Sequence, residues 1–262
     1  MIEYGKDKAT FDDWRNRMLL VADDVDETWE MDFLNYMDRI GRELDTIYPK
    51  VNVEKIYIDS YVQEVKAGSQ RYPGAREDLF RKVQRGNLVT SYLGHGGEVG
   101  WAKERILQLA DITSWTNINQ MPVFTTVTCE FTRVDDPARV SAGEQLFLNP
   151  QGGAVGLYST LRPVFATPST YLINQHLSQY LFTVTNGQQL SLGEVALAVK
   201  NSSTSSDRLR FAFIGDPAMY LALPEFEVIT DEIYINDMLA NQATDTLKAL
   251  SRIKVKGHIE DH

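Results

Sequence analysis

A single cysteine and a histidine set among glycines are the residues of this sequence that could carry out covalent chemistry. Cys129 is the one cysteine in 262 residues, and His95 lies in the segment Gly94-His95-Gly96-Gly97. A thiol, whose ordinary pKa is about 8.5, becomes an effective nucleophile only where a base or a cation favours the thiolate. An imidazole within reach of the thiol would be that base. The pair therefore predicts acyl transfer with Cys129 as nucleophile and His95 as general base.

The glycines that follow His95 could also help to hold the charge that develops on a carbonyl oxygen. Gly96 and Gly97 lack a Cβ, so the backbone can approach a substrate closely and direct an N–H group at it. The backbone N–H of Cys129 itself would be the second donor. We therefore predict an oxyanion site made by the N–H groups of Gly96 and Cys129. The alternative, from these residues alone, is that His95 belongs to a tight turn and Cys129 to the core.

Alternating apolar runs and helical patterns predict the elements that would position these groups. Predicted strands cover residues 17–22, 53–58, 87–93, 123–128, 153–160 and 209–214. Predicted helices cover residues 29–48, 75–85, 103–110, 141–148 and 170–182. Strands separated by helices favour a mostly parallel sheet of about six strands between two helical layers, an α/β/α sandwich. His95 and Cys129 follow two consecutive strands, at the carboxyl edge where the reactive groups of such sheets gather.

Charge and hydropathy limit the partners that this chain is expected to have. The formal net charge is −10, whereas binding to nucleic acid requires clustered Lys and Arg. No apolar run approaches the roughly 20 residues that span a bilayer, and no charged-then-apolar start resembles a signal peptide. Both ends read as cut from a longer chain, so the lack of a signal peptide says nothing about compartment. We therefore expect no nucleic acid among the partners.

A dinucleotide-binding oxidoreductase and a serine hydrolase are the rival enzyme classes. Gly94, Gly96 and Gly100 follow a predicted strand, as in a loop that cradles phosphate, but no clear acidic counterpart stands about 20 residues further on to hold a ribose. His-Gly-Gly could serve as an oxyanion loop in a serine hydrolase, but the sequence has no Gly-x-Ser-x-Gly segment. A non-catalytic domain that acts as a scaffold or substrate receptor stays open.

Five segments, in the same order, resemble the gingipains, cysteine peptidases with a caspase-like fold. They are residues 94–101 (GHGGEVGW), 128–130 (TCE), 143–147 (GEQLF), 153–160 (GAVGLYST) and 211–217 (FAFIGDP). The first is similar to the Gly-His-Gly-Ser-Glu-x-x-Trp segment of that family, and the second lies where gingipains carry Ala-Cys-Val. The sequence is therefore identified as a member of the gingipain family, with a caspase-like α/β/α sandwich as the implied fold.

The resemblance implies roles for Cys129 and His95 and adds a carboxylate to them. Cys129 would attack the scissile carbonyl, and His95 would protonate the leaving amine. Gingipains carry a carboxylate near the catalytic histidine, in the loop that corresponds to the one after the first predicted strand here. Asp24, or else Asp23, occupies that loop and would orient the imidazole. A solvated turn or a calcium site is the open alternative for these two acidic residues.

The resemblance also points to residues that would bind the substrate. In the gingipain specific for basic residues, an acidic residue at the start of the following helix reads the substrate cation, and Asp32 is its nearest match. Phe165 stands where the pocket flank of that enzyme bears a Trp. Trp101 would wall a pocket, unless it packs in the core. Glu130 follows the cysteine where gingipains have a small, glycine-containing stretch, so substrate preference is not carried over.

Within the family, the segments favour the cell-surface peptidase of type IX secretion. The implied activity is cleavage of C-terminal sorting domains from secreted cargo proteins, with water or an amine on a surface glycan or lipopolysaccharide as acceptor. The implied location is the extracellular face of the outer membrane, with other outer-membrane secretion components as partners. The chemistry requires no cofactor, although structural calcium could hold an acidic loop. We expect a peptidase domain over residues 1–240, and a linker with the first strand of a following β-domain over residues 241–262.

Overall fold

The computed structural model describes residues 4, 7–66, 69–185, 187–224, 226–240 and 248–261. Its centre is a six-stranded sheet made of β1 (Arg17–Ala22), β2 (Asn52–Tyr57), β3 (Val89–Leu93), β4 (Val123–Val127), β5 (Gly156–Thr160) and β6 (Phe211–Ile214). The strand order across the sheet is β6-β5-β4-β3-β1-β2. Strands β1 to β5 pair in parallel, and β6 runs antiparallel to β5 at one edge.

The strands at the centre of the sheet are buried along their whole length. Every residue of β3, β4 and β5 is buried, as are residues 18–22 of β1. Parallel strands that are covered on both faces appear in a sequence as continuous apolar runs, not as an alternation of apolar and polar residues. Continuous apolar runs were therefore sufficient to locate these strands. Burial on both faces also specifies the register, because a shift by one residue would exchange the two faces.

In the described part of the chain, six helices cover the sheet. They are α1 (Met31–Ile47), α2 (Pro73–Arg85), α3 (Leu109–Ser114), α4 (Ala142–Leu148), α5 (Pro168–Phe182) and α6 (Leu192–Ser202). On one face, Leu79 of α2, Ile112 of α3 and Leu146 of α4 join Phe124 and Leu157 of the sheet in one hydrophobic core. The predicted α/β/α sandwich with a mostly parallel six-stranded sheet is therefore confirmed.

The other face is covered by α5, which packs between α1 and α6 and against β4. The buried side chain of Asn174 lies at the centre of this layer. Its Oδ1 accepts hydrogen bonds from Ser91 Oγ of β3 at 3.0 Å and from Thr125 Oγ1 of β4 at 3.3 Å. Polar groups that are buried at this depth require such partners. These bonds attach α5 directly to the two strands that precede His95 and Cys129.

The helix predicted over residues 103–110 is wrong. Gly96–Gly97, Gly100–Trp101 and Leu107–Gln108 form a small three-stranded sheet in this region, and α3 begins only at Leu109. Ala102 (φ 62°) and Arg105 (φ 60°) adopt left-handed conformations that an α-helix of L-residues does not contain. The turns of this small sheet therefore replace the expected first turns of helix.

Backbone contacts divide the chain into two units, residues 1–222 and residues 223–262. In the second unit, Phe226–Ile235 pairs antiparallel with Ile253–Asp261 and with the short strand Met238–Leu239. The division lies earlier than the boundary predicted after residue 240, and residues 241–247 of the predicted linker lie outside the described residues. No helix in the described part of the chain has the length and apolar character needed to cross a bilayer.

Candidate active site

The carboxyl edge of the sheet brings the segments of His95 and Cys129 side by side. Leu93 at the end of β3 is paired with Val127 at the end of β4. The N–H of Gly94 donates to the carbonyl of Val127 at 3.3 Å, so the two segments stay adjacent beyond the strands. His95 and Cys129 therefore occupy equivalent positions, each two residues past the paired strand ends.

The backbone of His95 is fixed on both sides by hydrogen bonds. Its N–H donates to Asp23 Oδ2 at 2.6 Å. Its carbonyl accepts from the Tyr92 hydroxyl at 2.6 Å and from the N–H of Ala102 at 2.9 Å. Asp23 and Tyr92 are both buried. These three hydrogen bonds fix the position of the His95 backbone at the carboxyl edge of the sheet.

The imidazole of His95 contacts a buried carboxylate. Its Nε2 lies 2.7 Å from Oε1 of Glu30, and Glu30 Oε2 accepts from the N–H of Glu27 at 2.6 Å. Burial by itself would raise the pKa of Glu30, but the hydrogen bonds from the N–H of Glu27 and from His95 outweigh it, and the pKa is lowered. Glu30 is thus ionised at neutral pH. It fixes a hydrogen on Nε2 and leaves Nδ1 to exchange protons.

The assignment of Asp24, or Asp23, as the carboxylate that orients the imidazole is wrong, because Glu30 has that place. Asp23 holds the backbone of His95 instead of its ring. The carboxylate therefore comes from the predicted loop but from a different residue. The missed signal is the pair of acids in Glu27-Thr28-Trp29-Glu30, since a Glu placed three residues after the residue that caps a helical turn often accepts a hydrogen bond from the N–H of the cap. Glu27 caps the 3₁₀ turn Thr28–Glu30, and its N–H donates to the Glu30 carboxylate.

Two aromatic rings hold the imidazole from its sides. The His95 ring makes edge contacts with Trp29, at a centroid distance of 5.8 Å, and with Phe33 of α1, at 5.5 Å. Trp29 is 46% exposed and Phe33 is buried. Apolar rings beside a hydrogen bond lower the local dielectric, which strengthens the bond between Glu30 and His95. Neither residue is among the predicted site residues, because both fall within the helix predicted over residues 29–48.

Cys129 lies at a sharp turn directly after β4. Its thiol is partly exposed and donates to the carbonyl of Val164 at 3.5 Å. The next residue, Glu130, has a left-handed backbone with φ 47°, a conformation uncommon for a residue other than glycine. Such strained positions cluster at functional sites because the surrounding structure must impose them. Here the turn ends the strand and leaves the sulfur at the sheet edge.

The hairpin after His95 directs the N–H of Gly96 away from its partner strand. The N–H of Ala102 donates to the carbonyl of His95, which makes these two residues a hydrogen-bonded pair of the ladder. In an antiparallel ladder such pairs alternate with pairs that exchange no hydrogen bonds. Gly96, paired with Trp101, is therefore in a pair of the second kind. Its N–H is free of the ladder, as an oxyanion donor must be.

A cleft of about 620 Å³ lies beside His95 on the side of the hairpin. Among the residues that line it are Gly96, Gly97, Lys103 and Arg105. Trp101 also borders the cleft, but its ring is wholly buried and stacks on Tyr92 at a centroid distance of 4.3 Å. The predicted substrate-binding role of Trp101 is accordingly replaced by packing in the core.

The other predicted substrate-binding residues are exposed or partly exposed. Phe165 is 66% exposed and follows Val164, whose carbonyl contacts the sulfur. Asp32 is partly exposed in the first turn of α1. Glu130 is partly exposed and lies 4.0 Å from the guanidinium of Arg133. These positions are consistent with contact to a substrate, and their roles stay predictions.

Asp24 belongs to a separate cluster of acidic side chains. One carboxylate oxygen from each of Asp23, Asp24 and Glu104 lies within 4.8 Å of the others, and all three residues are buried. Burial, followed by repulsion from Asp24, raises the pKa of Glu104 to about 7. Burial likewise raises the pKa of Asp23 well above its ordinary value, although the hydrogen bond from the N–H of His95 opposes the shift. These three are the hard oxygen donors that could hold a metal ion.

Comparisons with known proteins identify the family and the fold of this chain. The model of peptidase family C25 matches residues 1–222. The solved structure of the Arg-specific cysteine proteinase gingipain R (RgpB) gives a TM-score of 0.65 at 18% identity, covering 88% of this chain and 54% of that one. The complex of Porphyromonas gingivalis RgpB pro- and mature domains gives 0.60 at 16% identity, covering 99% of this chain and 66% of that one. No curated protein matches the chain.

The structural similarity, at these identities, concerns the fold. The family match extends over most of the chain and ends where the first structural unit ends, at residue 222. The chain spans a little over half of the gingipain R chain, 54% of its length. The resemblance to gingipains drawn from five short segments is thereby confirmed.

Proposed function

Because this chain belongs to peptidase family C25, we propose that it is a cysteine peptidase in which Cys129 and His95 form the catalytic dyad. The observation that carries the proposal is their equivalent position beyond two neighbouring parallel strands, with Leu93 paired to Val127. Cys129 is the one cysteine of the chain, so no other thiol in it can be the nucleophile. The hydrogen bond between His95 and Glu30 supports the role of the imidazole.

The reaction begins when His95 takes the thiol proton and the thiolate of Cys129 attacks the scissile carbonyl carbon. The carbonyl electron pair moves onto oxygen, where the N–H groups of Gly96 and Cys129 donate to it. The tetrahedral adduct then expels the amine, which receives the proton from Nδ1 of His95, and a thioester remains on Cys129. Water or an amine next attacks the thioester, gives its proton to His95 and releases the thiolate.

Glu30 acts through His95 rather than on the substrate. Its carboxylate accepts from Nε2–H, which keeps the proton-exchanging Nδ1 on the free side of the ring. When His95 becomes imidazolium, the negative charge of Glu30 stabilises the new positive charge. The Asp of a Ser-His-Asp triad performs the same function, so the arrangement works as a triad with Glu30 as positioning residue.

For the whole protein we propose a PorU-like role at the cell surface in type IX secretion. The five gingipain-like segments support it, together with the family match over residues 1–222. The substrates would be secreted cargo proteins with C-terminal sorting domains, and other outer-membrane secretion components would be partners. The acceptor of the acyl group would be water or an amine of a surface glycan or lipopolysaccharide. Transpeptidation differs from hydrolysis only in which of these attacks the thioester.

A substitution at Gly96 is expected to damage the site, and the same substitution at Gly97 is not. A Cβ on Gly96 would lie 2.6 Å from Thr128 Oγ1 and 2.9 Å from the carbonyl oxygen of Gly100, whereas a Cβ on Gly97 would meet no atom within 4 Å. Gly96→Ala must therefore shift the His95 segment away from β4. Since small displacements of reacting groups cost on the order of 10²-fold in rate, we expect kcat/KM to fall by roughly that factor. Equal activities for Gly96→Ala and Gly97→Ala would contradict the assigned oxyanion donor.

Covalent labelling tests the proposed dyad directly. A library of peptidyl acyloxymethyl ketones, varied in the residue before the reactive carbonyl, alkylates an activated thiolate with loss of a carboxylate. Mass spectrometry is expected to find the adduct on Cys129 in the wild-type protein and none in Cys129→Ala. His95→Ala should react at least about 10²-fold more slowly, because general-base assistance contributes about that much. The peptide that labels Cys129 fastest also identifies the residue that the site prefers before the scissile bond.

The control for the labelling experiment is iodoacetamide after denaturation, which must alkylate Cys129 equally in wild-type and His95→Ala protein. Equal rates of peptidyl labelling in the two folded proteins would show that the thiol is not activated. That result would favour the scaffold or receptor alternative over the peptidase mechanism.

A further inference from the structure

The cleft beside His95 has the size of a binding site. Its volume is about 620 Å³, and its lining runs from His95 and Gly96 along the hairpin to Leu109 and Ala110 of α3. Ligand sites in proteins have volumes of about 300–1,000 Å³. The described residues that line the cleft do not include Cys129, the proposed nucleophile. The cleft therefore adjoins the general base but does not hold the thiol.

The proposed mechanism decides which part of a substrate would reach this cleft. His95 gives a proton to the leaving amine, so the first residue after the scissile bond must lie against the imidazole. The acyl part stays on Cys129, next to Val164, whose carbonyl contacts the sulfur. A peptide chain that continues past His95 would enter the cleft, because the lining begins at that residue. The cleft is thus placed to receive the departing segment.

The lining of the cleft is basic, although the chain as a whole is acidic. The protein has 36 acidic and 26 basic side chains, yet the described residues that line the cleft include Lys103 and Arg105 and no Asp or Glu. Glu104, which lies between them in the sequence, is buried and meets Asp24 instead. An acidic group of a ligand would therefore meet basic side chains and no carboxylate in this lining.

Arg105 is the cation of the lining that is available to a ligand. Lys103 is already paired, with its Nζ 3.1 Å from Oδ2 of Asp26. Arg105 is exposed, and within the described part of the chain its guanidinium forms no ion pair, although many other arginines of this protein do. A guanidinium presents a planar fork of N–H donors that can bind a carboxylate through two parallel hydrogen bonds.

The backbone fixes the point from which the Arg105 side chain extends. Arg105 adopts a left-handed conformation with φ 60°, which is uncommon for a residue other than glycine. Its N–H donates to the carbonyl of Ala102 at 3.2 Å, and its carbonyl accepts from Gln108 Nε2 at 3.4 Å. Both neighbours also line the cleft. Strained residues persist where the surrounding structure imposes them, and they cluster at sites that bind ligands.

We propose that the cleft binds the polypeptide segment that follows the scissile bond, and that Arg105 selects an Asp or Glu side chain within the first few residues of that segment. This inference rests on the proposed function, which it extends from the type of reaction to the class of substrate. The favoured substrates are polypeptides that carry an acidic residue shortly after the cleavage site.

Hydrolysis of position-scanned peptides tests this selection. Their acyl part carries the sequence found by labelling, and the first three positions after the scissile bond carry Asp, Asn or Lys in turn. At one of these positions, kcat/KM of the wild-type protein should be roughly tenfold higher for Asp than for Asn, the lower end of what a hydrogen bond to a charged group contributes. Arg105→Gln should bring this ratio close to unity, and Arg105→Glu should favour Lys at the same position. A merely structural role of Arg105 would not produce that reversal.

Arg42→Gln is the matched control, because Arg42 is an exposed arginine of α1 that pairs with Asp38 and does not line the cleft. It should keep the full preference for Asp. Equal values of kcat/KM for Asp and Asn at all three positions in the wild-type protein would overturn the proposal. A preference for Asp that survives in Arg105→Gln would overturn it as well, because another cation would then be responsible.

Binding of the released segment separates this inference from the proposed function. Peptides with a free α-amino group, a C-terminal fluorophore and Asp or Asn at each of the three positions are titrated with protein, and fluorescence polarisation gives Kd. With wild-type protein, Kd should be roughly tenfold lower for Asp than for Asn at one position, and with Arg105→Gln the two values should be equal. Failure of the peptidase mechanism would appear as no hydrolysis of any peptide, and the ratio of Kd values would still be measured. Equal Kd values with the wild-type protein would overturn the assignment of the cleft, whether or not the protein cleaves peptides.

Discussion

The Cys129→Ala protein is expected to fold normally and to lose peptidase activity by about 10⁴-fold or more, because alanine cannot form the thioester. The fold should survive because the thiol makes one weak hydrogen bond within the described part of the chain, to the carbonyl of Val164 at 3.5 Å. A hydrogen bond of this kind contributes at most about 1 kcal/mol to stability. The measurements are kcat/KM on the peptide found by labelling, and the Tm of both proteins.

The same variant tests the biological role that we propose. Cells that carry full-length Cys129→Ala should accumulate cargo proteins with their C-terminal sorting domains attached. Cys129→Ser is the matched control for packing, since its hydroxyl is close in size to the thiol and can keep the hydrogen bond, but it is not ionised at neutral pH. Both variants should fail equally. Normal cargo processing by Cys129→Ala would rule out the thiol mechanism.

The second large effect is expected for Glu30→Gln, with kcat reduced by roughly 10²–10⁴-fold and KM little changed. The amide keeps the size of the side chain but carries no charge to stabilise the imidazolium, and it can present its NH₂ group to Nε2 and reverse the tautomer. Removal of the orienting carboxylate in a Ser-His-Asp triad has an effect at the upper end of this range. The test is to measure kcat and KM by steady-state kinetics, with a substrate that carries the peptide sequence found by labelling.

The exposed Glu27 provides the control for Glu30. Its backbone N–H, which substitution leaves in place, is the group that holds Glu30, so Glu27→Gln should retain near wild-type kcat. Equal losses in Glu27→Gln and Glu30→Gln would indicate a general charge effect instead of an orienting contact. An unaffected kcat in Glu30→Gln would contradict the role of Glu30 in a triad and leave Cys129 and His95 as a dyad.

A pH series separates the structural part of the Glu30 interaction from the catalytic part. The folded pKa of Glu30 is lower than its ordinary value of 4.5, so the ionised side chain stabilises the fold above that pH. This stabilisation is lost as the pH falls through the lowered pKa. The difference in Tm between wild type and Glu30→Gln should therefore be largest above about pH 5 and shrink on acidification.

Much of the scaffold was determined by sequence patterns that depend on local geometry. Buried parallel strands appear as continuous runs, and all six central strands were predicted to within a few residues. Because parallel strands place their carboxyl ends at one edge, the positions of His95 and Cys129 after consecutive strands were enough to predict that their segments lie side by side. The prediction of a helix over residues 103–110 was wrong because the spacing of apolar residues does not reveal that Ala102 and Arg105 adopt left-handed backbone conformations.

The contacts of side chains in the loops were decided only by the tertiary structure. Asp24 and Glu30 lie in the same acidic loop, and spacing gave no reason to prefer the later residue. The turn Thr28–Glu30 directs Glu30 inward to His95, whereas Asp24 meets Glu104, a residue distant in sequence. The sequence thus determined which residues could react and at which edge of the sheet. The direction of each loop side chain depends on backbone dihedrals and on packing partners far along the chain, so only the folded structure could establish what contacts the His95 imidazole.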